Sequence, residues 1–589
     1  MCNKIYSILI IYILVISLSG RQRVFAGKCG TPDLFHRLQE LASSTEENSV
    51  IAAARTAVNR SSVPARTYLT DNFAIHYVMK GADKVLFTPE DTELINEVEG
   101  LYADLEKEFN EPELSLRIYA ILDSLDVGHP RFIEKQGYYF EKAYTHYIGD
   151  LGMKIPEVNS SSFYFREAAI KNKYHIEIAN IASTDSYWIG QEVYALTYPS
   201  GGIITDNDFL YTLRGGQLDT IRSSYTSVSP PLIINYATDW EKGIQVTAAH
   251  EYYHAIQYQY TPNPSSYHFW YELSAVGMEE RLASDVNDYL QYLPDLFSKH
   301  ASFSLNNQCF NCTETYGNGI FHVFLSSELG DDFDVSLWKS LNARNNIESA
   351  FNKLTDEYSV NLPDLYARYT QPLLFSQKSE DSPFFPFSDD LFLWPAIKTK
   401  TLTLDASAQL IFSLPSMTFE AVRLEGLSSL LVNKIEVENG EDLTLTFIYD
   451  GQSSEKRLKN NVVSFSFTMP EKAGTNNYLL FSNGAWDKTA KISITLVIDE
   501  GVVAFPNPYQ SERDDKISFT RPLNADSLTS LFVYSEFGIP VKELNFLEEN
   551  VTWDWNVRDD KGDVLSAGIY YYGPKAGPVK PFVIMNKNK

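Results

Sequence analysis

The chain has 589 residues, 44% of them apolar, which is too long for a single hydrophobic core and too apolar for a disordered chain. Its 49 basic and 76 acidic residues leave a net charge of −27. That balance repels phosphate backbones and anionic lipid, so no nucleic-acid partner is expected.

At the N-terminus, "MCNK" is a mildly basic start and "IYSILIIYILVISLSG" a continuous apolar run, followed by small residues around Val24-Phe25-Ala26. This is the pattern of a secretory signal over residues 1–26, removed in the mature protein and leaving no integral membrane span. The run also approaches membrane length, so an uncleaved helix is the alternative. Export fits the acidic surface and places the protein outside the cell or on its surface. Lys28 before Cys29 does not suit lipid attachment. The remaining cysteines form "CFNC" at 309–312, with no second pair to complete a zinc site, so a local disulfide is expected and Cys29 is left odd.

Residues 27–65 are polar and rich in Ser and Ala, a linker or pro-segment. "NFAIHYVMKG" (72–81) alternates with period two and predicts the first strand of a domain, and "DTELINEVEGLYADLEKEFN" (91–110) predicts a helix. Mixed strand and loop signals continue to "EVYALTYPSGGIITDNDFLY" (192–211), and from about 240 to 372 the pattern turns helical. Within "TDNDF", Asp206, Asn207 and Asp208 lack the spacing of a known calcium loop and read as a turn at a strand end.

After about 398, short alternating runs such as "DLTLTFIYDG" and "AKISITLVID" predict an antiparallel sandwich over 398–500, and a last unit covers 501–589. In that unit Gly538 and Gly562 mark turns, while Val533, Ile569 and Tyr571 are expected in the core. No histidine follows His322 and no cysteine follows Cys312, so any metal site built on them lies upstream and the two C-terminal units are accessory.

The segment that carries chemistry is "VTAAHEYYHAIQYQY", Val246 to Tyr260. Val246, Ala249, Tyr253, Ile256 and Tyr260 recur at helical steps, and His250 and His254, four apart, project from one face. Two neutral imidazoles at that spacing suit a tetrahedral zinc, and Glu251 is placed to take a proton from water. Two histidines on a helix also arise by chance, so a third ligand is required. "HFWYELSAVGMEER" follows the prolines at 262 and 264 and offers Glu272 as that ligand. Glu279, two turns on, is placed to hold a ligand histidine from behind, and Ala275 permits close helix approach. His268 is a competing ligand at the turn; solvated surface glutamates are the bland alternative.

HExxH followed by Trp-x-Glu-x-x-Ala is similar to the gluzincin metallopeptidases. More narrowly, "HEYYHAIQYQY" with "WYELSAVGMEE" resembles a family of secreted bacterial metalloproteases known first from myxobacteria, and the likeness spans about 66–395. It implies an α+β zincin-like catalytic domain, Zn2+ as cofactor and a peptide or protein as substrate. Gly277 departs from the family's usual tryptophan, so packing behind the third ligand is expected to differ. By likeness to aminopeptidase-type gluzincins, Tyr316 of "ETYGNG" would steady a developing oxyanion, though a packing tyrosine is an equal reading. Residues 501–589 resemble the small Ig-like domain that ends many secreted bacterial proteins, some versions of which are type IX secretion signals, implying secretion machinery as a partner.

The expected whole is multidomain: a zincin-like domain over 66–395 and two all-β sandwiches behind it, acting as a secreted zinc metallopeptidase. Two alternatives compete with it. One is a catalytically inactive zincin-like surface or binding protein; the other is a carbohydrate-active hydrolase, which needs paired carboxylates across a cleft.

Overall fold

In a computed structural model, the described residues are Lys28–Cys29 and 65–589, apart from 158–169, 171, 182–192, 200, 213–216, 226–230, 262–266, 310–311, 345, 377–392, 405–408, 427–433, 450–451, 459–461, 464–476, 496–503, 512, 521–529, 546–551, 574, 576–578 and 586–589. The expected signal segment and most of 27–65 lie outside them. The chain divides into two compact units, one of Met1–Lys299, Leu305–Leu362 and Phe375–Ile397, the other of His300–Ser304, Pro363–Leu374 and Lys398–Lys589.

The first unit is built on a mixed sheet of strands β1 (Lys28–Cys29), β2 (Arg66–Leu69), β3 (Phe73–Tyr77), β4 (Tyr174–Ala179), β5 (Val193–Thr197) and β6 (Ile203–Asp206), in the order β1-β5-β6-β4-β3-β2. Every residue of β3, β5 and β6 is buried, as in strands covered on both faces. β5 is antiparallel to β6 and parallel to the short β1. At the end of β6 the Asp206 carboxylate accepts from the backbone N–H groups of Ile181 (3.1 Å) and Phe209 (2.7 Å), and Asp208 accepts from that of Leu210 (3.0 Å). The acidic run is thus the expected turn.

Helices α1 (Thr92–Leu105), α2 (Glu111–Ser124) and α3 (Arg131–Tyr144) follow β3. The last two stand where the sequence reads as mixed strand and loop. Their β-branched and aromatic content, as in "RIYAIL" and "GYYF", favours strands locally, and packing against the sheet overrides it: Phe140 of α3 meets Phe73 of β3 at 5.5 Å between ring centroids. α3 runs on through a wider π-helical turn (Thr145–Asp150), where the Tyr147 hydroxyl donates to the Ala249 carbonyl at 2.9 Å.

That carbonyl belongs to α4 (Trp240–Tyr260), the central helix, in which every residue from Val246 to Tyr258 is buried. The expected single apolar stripe is therefore only part of the truth, since tertiary neighbours surround α4 on every side. α5 (His268–Leu282), α6 (Leu293–Lys299), α7 (Thr313–Gly317), α8 (Gly319–Leu329), α9 (Phe333–Arg344) and α10 (Ile347–Glu357) complete the helical layer. α5 and α8 approach closely at two glycines: a Cβ on Gly277 would meet His322 Nδ1 at 2.3 Å, and one on Gly319 would meet Val276 Cγ1 at 2.6 Å. His322 thus occupies the space beside Gly277. Cys309 and Cys312 form a disulfide.

In the second unit, a five-stranded and a four-stranded sheet share one core that includes Val422, Ile435, Leu479, Phe481 and Ile492. Helix α11 (Leu362–Leu373) lies against it: Thr370 Oγ1 is 2.6 Å from Ser482 Oγ, and Arg457 pairs with Asp364 at 2.7 Å. A three-stranded and a five-stranded sheet share a further core around Phe519, Val533, Trp555, Tyr572 and Phe582. Gly538 and Gly562 adopt φ of +73° and +90°, as turn glycines do. The strand Gly568–Gly573 is set one residue off the expected register: Tyr572 is buried, whereas Ile569 is 50% exposed and Tyr571 lies outside the core. A one-residue shift exchanges the faces of the whole strand, and three consecutive tyrosines give the sequence no apolar alternation to fix it.

Candidate metal centre

α4 and α5 bring three predicted residues together. His250 and His254 present their Nε2 atoms 3.0 Å apart, and Glu272 of α5 places Oε2 3.5 Å from the first and Oε1 3.5 Å from the second. The one potential ligand atom from each residue lies within 4.8 Å of the others, and all three side chains are buried. Among the described residues this is the group of side chains that could hold a metal ion; His268, buried at the first turn of α5, is not part of it.

The donor set fits a divalent cation with nitrogen and carboxylate preference, zinc above all. Glu272 Oε2 is buried and lies 3.5 Å from His250 Nε2, with no hydrogen bond of its own among the described residues. Burial alone would raise the Glu272 pKa, but His254 and His250, where protonated, hold it well below the usual carboxylate range. A charged, incompletely satisfied carboxylate facing two ring nitrogens is a cluster that a cation neutralises.

Behind these atoms, Glu279 Oε1 lies 2.5 Å from His250 Nδ1. Burial pushes the Glu279 pKa up to about 7, against the pull of His250 and with the push of Asp288 and Glu251. Glu251 follows His250 on α4, and its Oε2 accepts from the Thr197 hydroxyl of β5 at 2.6 Å. Tyr316 of α7 stacks beside the centre, its ring 6.4 Å from that of His250 and inclined by 18°, and it leans on Tyr292 at 5.2 Å.

Two contributors were not anticipated from the sequence. Gln257 places Oε1 2.6 Å from His254 Nδ1, and its position one helical turn beyond the histidine is a signal the sequence carries. Thr197 carries no such signal, because it comes from a strand 54 residues upstream.

No family model and no curated protein matches the chain. Among solved structures, part of the chain is similar to PorZ, a surface component of the type-IX secretion system of Porphyromonas gingivalis, at 18% identity and a TM-score of 0.13 over 18% of this chain and 15% of that one. Latent PorU of the same organism matches at 14% identity and a TM-score of 0.14, over 32% of this chain and 19% of that one. The BSP domain of a biofilm-associated protein matches at 13% identity and 0.15, over 32% and 29%. The chain thus spans less than a third of each of these proteins, and likenesses of this level carry no inference about function. No helix among the described residues is long and apolar enough to cross a membrane.

Proposed function

We propose that the chain is a secreted or cell-surface zinc-dependent peptidase of gluzincin type, with its chemistry on α4 and α5. The observation that carries this is the convergence of His250, His254 and Glu272, with Glu251 beside them on the same helix. Those three residues would hold the ion, and the resemblance of "HEYYH" and "WYELSA" to the metallopeptidases supports the same assignment.

Bound there, zinc would polarise a peptide carbonyl and acidify a water molecule. Glu251 would take the proton from that water. The Thr197 hydroxyl donates to the Glu251 carboxylate at 2.6 Å, which fixes its rotamer. Glu279 orients His250 through Nδ1, leaving Nε2 for the ion. Tyr316, stacked near His250, would steady the oxyanion.

Elemental analysis of the purified protein tests the metal: about one zinc per chain is expected, lost or sharply weakened in Glu272→Ala. Glu251→Gln should keep the zinc and abolish peptide hydrolysis; undiminished hydrolysis would end the assignment of Glu251 as base. A carbohydrate-active hydrolase is separated by chelation, which should remove all hydrolysis if zinc is required.

One observation favours a second reading. His250, Glu251, His254 and Glu272 are each no more than 2% exposed, as in a site that binds an ion without turning over substrate. A chain that holds zinc but hydrolyses no member of a diverse peptide library would be the inactive, binding form.

A further inference from the structure

His254 Nδ1 lies 2.6 Å from Gln257 Oε1, and both side chains are buried. On the far side of the amide, Gln257 Nε2 is 3.0 Å from the Tyr271 carbonyl oxygen and 3.0 Å from Ser274 Oγ. A backbone carbonyl only accepts, so the amide group facing it must be the NH2 and the atom facing His254 must be the oxygen. Ser274 is compatible, since its own hydroxyl donates to the Trp270 carbonyl at 2.5 Å and leaves its oxygen to accept. An amide oxygen also only accepts. In the neutral ring, His254 Nδ1 must therefore carry the proton, and Nε2 is left with its lone pair toward His250 Nε2 and Glu272 Oε1.

We infer that Gln257 is a positioning residue of the metal centre, locking His254 in the Nδ1–H tautomer that a metal at Nε2 requires. This rests on the metal-site proposal above and adds a direction of control to it. Tyr271 and Ser274 flank Glu272 on α5, so the helix that brings the third ligand also sets, through Gln257, the tautomer of the second. The two histidines are held differently. His250 leans on the Glu279 carboxylate, while His254 leans on a neutral amide, which fixes the proton without adding a buried charge beside Glu251, Glu272 and Glu279.

The test compares the full chain with Gln257→Met, similar in size without the amide oxygen, and Gln257→Glu, which keeps an acceptor. Metal-free proteins are titrated with zinc against a chromophoric chelator, with melting of the metal-free forms as the folding control. Gln257→Met is expected to bind zinc about 10- to 100-fold more weakly, and Gln257→Glu to stay within about tenfold of the native chain. Nitrogen NMR shifts of the imidazoles report the tautomer without metal: His254 should be Nδ1–H in the native chain and lose that preference in Gln257→Met. Native zinc affinity in Gln257→Met, or equal weakening in both variants, would overturn the role of Gln257. A native chain that binds no zinc, yet shows the Nδ1–H tautomer, would remove the metal proposal and leave the lock in place as structure only.

Discussion

The hydroxyl of Thr197 ties the predicted base to the sheet. It lies 2.6 Å from Glu251 Oε2, inside a site where neither residue reaches solvent. Thr197→Val keeps the shape and removes the donor, so the carboxylate loses the hydrogen bond that orients it. The expected result is a roughly tenfold or larger fall in kcat with KM and zinc content unchanged; steady-state kinetics beside elemental analysis measure both, and an unchanged kcat would show that Glu251 needs no such support. At Gly277 the argument is steric. A Cβ there would meet the His322 side chain at 2.3 to 2.8 Å, so Gly277→Ala should cost about 1–3 kcal/mol, read as a lower denaturant midpoint. The histidine pair, Glu251 and Glu272 are legible in the sequence because each pair shares one helix or follows one turn after it. Thr197 is not, since only the sheet brings a strand from 54 residues away under α4, and His322 beside Gly277 is hidden for the same reason.

At the scale of elements, the order of the sheet decides where an extended peptide can add. The strand of "GGIITDND" is β6, and it is paired on both sides, by β5 and β4. Parallel and antiparallel neighbours arriving from distant sequence decide which strand is outermost, and nothing within "IITD" records it. β5, which carries Thr197, lies on the outer side of β6, and its own far edge is taken up by Lys28–Cys29 of the N-terminal segment. An extended substrate adding to β5 by main-chain bonds would have to displace that pair. A chain beginning at residue 66 should therefore bind extended peptides several-fold more tightly, one or two backbone hydrogen bonds at about 0.5–1.5 kcal/mol each, with zinc content unaltered. Equal KM values for the two chains would show that β5 is not the docking edge. The same sheet holds a pH-sensitive pair: His76 of β3 and His175 of β4 lie 2.9 Å apart, and burial, then the neighbouring His175, lowers the His76 pKa from 6.5 to about 3. A depressed histidine pKa means that the folded chain binds fewer protons than the unfolded one. Its contribution to stability is full above pH 6.5 and is lost as pH falls toward 3, at about 1.4 kcal/mol per pH unit. His76→Gln should flatten the acid side of the stability–pH curve, measured by urea unfolding from pH 7 to 4; an unchanged slope would show that this ring does not titrate on unfolding.

For the whole molecule, the division into compact units does not follow the sequence in one cut. The change in texture near residue 398 is visible as the onset of alternating strands, yet the second unit also takes in His300–Ser304 and Pro363–Leu374. Those segments read as part of a long helical stretch because helix periodicity says nothing about which core a helix serves. The contacts of α11 do: Thr370 with Ser482, Asp364 with Arg457, Gln371 with Glu455, and Pro363 against Gly484, where an added Cβ would lie 2.5 Å from the proline Cα. A fragment starting at residue 398 would keep both sandwiches but expose the face on which this helix rests, including Ser482, which is fully buried. A fragment starting at residue 360 restores the helix, its buried hydroxyl pair and its ion pair. Two such polar contacts and one covered face amount to about 2–3 kcal/mol, which for a unit of this size is about 4–12 °C in Tm. Melting of the two fragments under identical conditions checks it. Equal Tm values would mean that α11 only touches the sandwich, whereas the expected gap would make the helix a structural part of the unit that follows it.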